Sequence, residues 1–92
     1  MQAKIWNHSE WIPGTSPEVI KTFFTDLLKR CGFNVLNISE HRFQPDGYTG
    51  LWLLSESHFA VHTFPEIDKT YIELSSCNLE FFKQFIDEIK TL

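Results

Sequence analysis

Two helix-patterned segments bracket a central stretch patterned as strands, and that order leaves few folds open to the chain. In the first, Val19, Ile20, Phe23, Phe24, Leu27, Leu28 and Cys31 recur at helical spacing. Ser16 is placed to cap it. Pro17 suits the first helical position, Glu18 complements the positive end of the helix, and Gly32 is a natural stop. In the second, Asn78 is the cap, and Phe82, Phe85, Ile86 and Ile89 form the inner face. Between them, 33–43 reads as a strand, 44–49 (with Pro45 and Gly47) as a turn, the apolar run in 50–55 as a short buried strand, and 70–77 as another. His58 to Phe64 alternates most plainly: Phe59, Val61 and Thr63 share one face, and His58, Ala60, His62 and Phe64 the other. Pro65 ends that strand. A short first strand is expected at 3–6, with turn chemistry at 12–17.

Short links between strands imply antiparallel pairing. The expected fold class is α+β: a two-layer sandwich, one antiparallel sheet with two helices on one face. A chain of 92 residues makes one domain, 1–92. A domain this small gains from association, so the second sheet face is expected to be apolar or paired with a second subunit in a homodimer. The formal net charge of -4 offers no basic stripe for nucleic acid. No apolar run approaches the roughly 18 residues of a membrane span, and Met1 to Trp6 lacks a signal-peptide core. With two cysteines and no Cys-rich framework, the expected setting is the cytoplasm, with thiols reduced.

The chemistry-bearing residues crowd between Ser55 and Cys77: Ser55, Glu56, Ser57, His58, His62, Thr63, Glu66 and Cys77. Nucleophilic hydrolysis by Ser57 or Cys77 with a His is one reading, although no G-x-S-x-G elbow is present. Metal binding is another, but on a strand His58 and His62 lie about 13 Å apart, and C-x-x-C spacing is missing; no metal is expected. A third reading is structural: a core His, a capping Ser, a buried Cys.

The joint pattern adds a fourth. His41-Arg42-Phe43, Pro45-x-Gly47-x-x-Gly50, Glu56-Ser57-His58-x-x-x-His62-Thr63-x-Pro65-Glu66 and then Cys77 resemble the prokaryotic S-adenosylmethionine decarboxylase proenzymes over about residues 41–77. The resemblance implies a pyruvoyl-dependent decarboxylase of polyamine biosynthesis that cuts itself between Glu56 and Ser57. Ser57 would attack the Glu56 carbonyl in an N-to-O acyl shift. Elimination would then convert Ser57 into the covalent pyruvoyl cofactor, which forms a Schiff base with the substrate amine. His62 matches the group that moves protons during processing, and Thr49 matches a supporting hydroxyl. Cys77 matches the general acid that protonates the decarboxylated carbon; an ordinary thiol is mostly protonated at neutral pH and can donate. Phe43 resembles the aromatic that stacks on adenine, and Glu66 the carboxylate that holds the ribose hydroxyls.

The chain also departs from the family. Phe64 replaces a usual Trp, and Ser75, Ser76 and Asn78 replace the usual neighbours of the Cys. Asp68, Lys69, Thr70 and Tyr71 stand where small residues are usual. The processing residues are kept while parts of the pocket differ. That leaves open an ornithine or arginine decarboxylase, with Asp68 or Glu73 receiving the basic group. A non-catalytic homologue that binds or regulates another enzyme is the remaining alternative.

Overall fold

The computed structural model describes residues 3–91; Met1, Gln2 and Leu92 lie outside it. The elements run β1 (Trp6–Pro13), α1 (Pro17–Arg30), β2 (Val35–Arg42), β3 (Tyr48–Leu54), β4 (Ser57–Phe64), a 3-10 turn (Pro65–Ile67), β5 (Lys69–Ser76) and α2 (Leu79–Ile89). The strands form one antiparallel sheet in the order β1-β5-β4-β3-β2.

Both helices begin, and α1 ends, as their residues dictate. Ser16 Oγ accepts from the Val19 N–H and Pro17 opens α1. Gly32, at φ +106, closes it. The Phe33 N–H reaches Leu28 O, and the Gly32 N–H reaches Lys29 O, each at 3.0 Å, so a Schellman motif satisfies the last carbonyls. Asn78 Oδ1 accepts from the Phe81 N–H at 3.0 Å to start α2.

Strand pairing fixes which residues share a face. Trp52, Leu54, Phe59, Val61, Ile72 and Leu74 lie on the helix side and are buried, packed with Phe24, Leu27, Leu28 and Phe85 from the helices. Phe24 meets Phe59 at 4.8 Å and Phe85 meets Phe59 at 5.4 Å between ring centroids. Trp52 donates its indole N–H to Thr25 Oγ1 at 3.0 Å, which spares this wholly buried ring an unpaired donor. Near one end of the sheet, Lys21 pairs with Glu40 at 2.6 Å and Arg42 with Glu18 at 2.9 Å, pinning α1 to β2.

The opposite face carries no helix. Leu51, Leu53, Trp11 and Phe64 stand on it with large exposed areas, among Thr49, His58, His62, Tyr71 and Glu73. The α+β class, the antiparallel sheet and the two helices on one side match the sequence expectation. The first strand does not: it spans Trp6–Pro13 rather than 3–6. As an edge strand bonded only to β5, it tolerates His8, Ser9 and Glu10 and can end in Pro13.

Candidate active site

Glu56 and Ser57 sit at the β3–β4 hairpin, where Ser55 and Glu56 bridge the paired residues Leu54 and Ser57. Glu56 has φ +58. A left-handed conformation costs a side-chain-bearing residue roughly 1–2 kcal/mol, so the peptide bond after Glu56 leaves a strained residue. The neighbouring strand holds both sides of that bond. The backbone N–H of Cys77 points at Glu56 O at 3.4 Å. Ser57 Oγ donates to Ser76 Oγ at 2.9 Å. A backbone N–H on a carbonyl oxygen steadies the negative charge that nucleophilic attack places there. Cys77 itself is a free, exposed thiol immediately after β5.

Thr49 and His62 face each other across β3 and β4, with Thr49 Oγ1 and His62 Nδ1 3.1 Å apart. Both lie on the open face, flanked by Tyr71 on β5 and His41 on β2. The Phe43 ring, half exposed, packs against the His41 ring at 4.6 Å between centroids. Glu66 is exposed in the 3-10 turn that follows β4.

The sequence-predicted residues therefore fall into two groups at opposite ends of the sheet. Glu56, Ser57 and Cys77 occupy one end; Phe43, Thr49, His62 and Glu66 occupy the other. Ser57 and His62 stand five positions apart on β4, roughly 16 Å at about 3.3 Å per residue, and their side chains leave opposite faces. Within one protomer the imidazole does not reach the hydroxyl.

An open-face depression of about 420 Å³ lies between these groups, lined by Asn37, Ser39, Leu51, Leu53 and His58 among others. A more apolar cleft between α1 and β1, lined by Ile12, Val19 and Phe23 among others, lies on the helix side and holds none of the chemistry-bearing residues. The open face, by contrast, carries Thr49, His58 and His62. Among the described residues no cluster of three His, Cys, Asp or Glu could hold a metal ion, and no helix is long and apolar enough to cross a membrane.

The family model for S-adenosylmethionine decarboxylase matches residues 14–91. The chain belongs to the S-adenosylmethionine decarboxylase family. A relative of that family, the S-adenosylmethionine decarboxylase proenzyme of Synechococcus sp. (strain WH7803), is 43% identical over 58 residues, 63% of this chain and 45% of the relative. The proenzyme of Methanococcus maripaludis (strain C7) is 36% identical over 58 residues, covering 63% of this chain and 48% of its own. The chain thus spans about half the length of the curated relatives it matches. The crystal structure of the adenosylmethionine decarboxylase from Aquifex aeolicus superposes with a TM-score of 0.79 over 99% of this chain and 81% of that one, at 20% identity; it shares the family fold.

Spacing along the chain does not reveal one partner of Ser57. Ser76 stands out in sequence only as a departure beside Cys77, and nothing local announces that its hydroxyl meets Ser57. The signal lies in the β4–β5 register, which places Ser57 opposite Ser76.

Proposed function

We propose that this chain is a self-processing, pyruvoyl-dependent decarboxylase whose substrate is S-adenosylmethionine. The observation that carries the reading is the grip on the 56–57 peptide: a left-handed Glu56, a Cys77 N–H on its carbonyl and an oriented Ser57 hydroxyl. Ser57 Oγ attacks the Glu56 carbonyl carbon, and the Cys77 N–H supports the developing oxyanion. Loss of the Ser57 Cα proton then releases the Glu56 carboxylate from Cβ.

That second step needs a base. The separation of His62 from Ser57 favours a homodimer in which two open faces pack together and His62 of one copy serves Ser57 of the other. A base arriving over the open face approaches Cα from the side away from Oγ. Leu51, Leu53, Trp11 and Phe64 supply the apolar area such a contact requires. Thr49 holds the imidazole through Nδ1, which orients the ring and leaves Nε2 for the proton.

The residues at the cut fit the pyruvoyl group, which supplies an electron-accepting carbonyl for the electrons freed as CO₂ leaves. Cys77, whose N–H reaches Glu56 O beside the new terminus, delivers the proton to the substrate carbon. Phe43 and Glu66 are exposed at the other end of the sheet with His62; in this reading Phe43 stacks on adenine and Glu66 accepts from the ribose hydroxyls. A free Cys77 thiol suits a reducing compartment such as the cytoplasm.

A basic amino acid is the second reading for the substrate. Glu73 favours it, because its carboxylate projects from the open face and takes the Tyr71 hydroxyl at 3.2 Å. The test is intact mass under denaturing conditions, followed by CO₂ release from S-adenosylmethionine, ornithine and arginine. Fragments 1–56 and pyruvoyl-57–92 with CO₂ from S-adenosylmethionine are expected. Turnover of ornithine or arginine instead would move the substrate assignment. An uncut, inert chain would leave a non-catalytic homologue.

A further inference from the structure

We propose that Ser76 is a positioning residue for self-cleavage: its buried hydroxyl takes the hydrogen of Ser57 Oγ and leaves the lone pairs of that oxygen free for the Glu56 carbonyl carbon. The inference rests on the self-processing reading and assigns the orientation of its nucleophile.

A serine hydroxyl has one hydrogen to give and two lone pairs to offer. All three are committed at Ser76. Its hydrogen goes to Asn78 O at 3.3 Å, and its oxygen accepts from the Asn78 N–H at 2.9 Å and from Ser57 Oγ at 2.9 Å. The side chain is 1% exposed, so water does not readily substitute for these partners. Bound in this way, Ser76 is an acceptor toward Ser57. Among the described residues, no donor competes for the lone pairs of Ser57 Oγ.

The acyl shift needs that polarity. It forms the bond from Ser57 Oγ to the Glu56 carbonyl carbon, breaks the 56–57 C–N bond and moves the hydroxyl hydrogen to the freed nitrogen, with no co-reactant. A hydroxyl whose lone pairs were occupied by a donor would be a poorer nucleophile, and one free to rotate would spend most of its time misaligned. Two successive residues at the end of β5 and just beyond it thus hold the two reacting groups: Ser76 the attacking oxygen, and Cys77, through its N–H, the carbonyl under attack.

The experiment follows conversion of full-length precursor to fragments 1–56 and 57–92 by mass, for wild type and for Ser76→Ala, Ser76→Thr and Ser76→Val. Thr and Val differ in the hydroxyl and hardly in shape. Thermal unfolding of each variant reports whether it is folded, and the Ala–Thr pair serves if Val is not. We expect Ser76→Thr to cut within about fivefold of wild type, and Ser76→Val and Ser76→Ala to cut about ten- to a hundredfold more slowly. Hydroxylamine, which cleaves an ester, should not accelerate the slow variants, because the ester is what forms slowly. Equal rates for Thr and Val, a wild-type rate for Ala, or hydroxylamine rescue would overturn the proposal. A wild-type chain that is never cut removes self-cleavage itself, and this role with it.

Discussion

If His62 serves the Ser57 of a second copy, two dead variants should repair each other. Ser57→Ala cannot form the ester, and His62→Ala lacks the base. The roughly 16 Å of strand between these positions, with their side chains on opposite faces, far exceeds the roughly 3 Å over which a proton is passed. A protomer's own His62 therefore cannot stand in. In a symmetric pair each site draws Ser57 from one copy and His62 from the other. A mixed dimer then holds one complete site, built from the serine of the His62→Ala chain and the histidine of the Ser57→Ala chain. Random pairing of equal amounts puts about half of the His62→Ala chains into mixed dimers. With differently tagged chains expressed together, about half of the His62→Ala chains should be cut at 56–57, and none of the Ser57→Ala chains. Each variant alone should stay whole. If mixed dimers form by pull-down yet stay uncut, or if His62→Ala alone is cut at the wild-type rate, the reasoning is refuted.

Further outcomes follow from three particular residues. Burial, with the nearby Glu88 carboxylate, pushes the Cys31 thiol up to about 11, whereas Cys77 is exposed. Iodoacetamide at pH 8 should therefore label native protein at Cys77 only and unfolded protein at both. Because the folded state keeps the Cys31 proton longer than the unfolded state does, stability should also fall from about pH 9 toward pH 11, by roughly 2 kcal/mol, in a slope that Cys31→Ala flattens. At the acid end, the hydrogen bond from Lys21, then that from Tyr48, holds Glu40 below its usual range. Its contribution is complete above about pH 4.5 and is lost as the pH drops through the depressed value. It amounts to about 1 kcal/mol or less, since the pair is partly exposed, and Glu40→Gln should remove that part of the acid limb in urea titrations. Relieving the left-handed strain at residue 56 with Glu56→Gly, in an uncuttable Ser57→Ala background, should raise Tm by a few degrees. About 1–2 kcal/mol of strain exceeds the roughly 0.5–1 kcal/mol of extra backbone entropy that glycine loses; a fall in Tm would contradict it.

The helices were legible in the sequence because their signals are local. Ser16, Pro17 and Gly32 bound α1, and Asn78 opens α2, each within one turn of what it controls. The strand β1 was not legible in place, because its pairing partner lies at the far end of the chain: Trp6 meets Ser76. Nothing in His8-Ser9-Glu10 announces a strand until β5 supplies the other half of the ladder. The candidate site divides in the same way. Residue types and spacing marked Ser57, His62 and Cys77 as chemically distinctive, and alternation correctly set His62 on the face opposite Phe59. The separation of Ser57 from His62 follows from their spacing on β4, but the grouping of Phe43 and Thr49 with His62, and of Cys77 with Ser57, depends on the register of four strands, which no spacing reveals.

The strand order has a consequence for the cut enzyme. Fragment 57–92 would contribute β4 and β5, and fragment 1–56 would contribute their outer neighbours, β3 on one side and β1 on the other. The shorter piece is interleaved into the longer one, gripped along both flanks by complete hydrogen-bonded ladders and roofed by helices from each. Separation would require both ladders to open together, so a nicked molecule should persist as though it were continuous. Once fully unfolded, however, it must find its other half by collision. Rebuilding one protomer would then require two fragments to meet in the mature form and only a single chain to fold in the precursor, making maturation a one-way step in the life of each molecule.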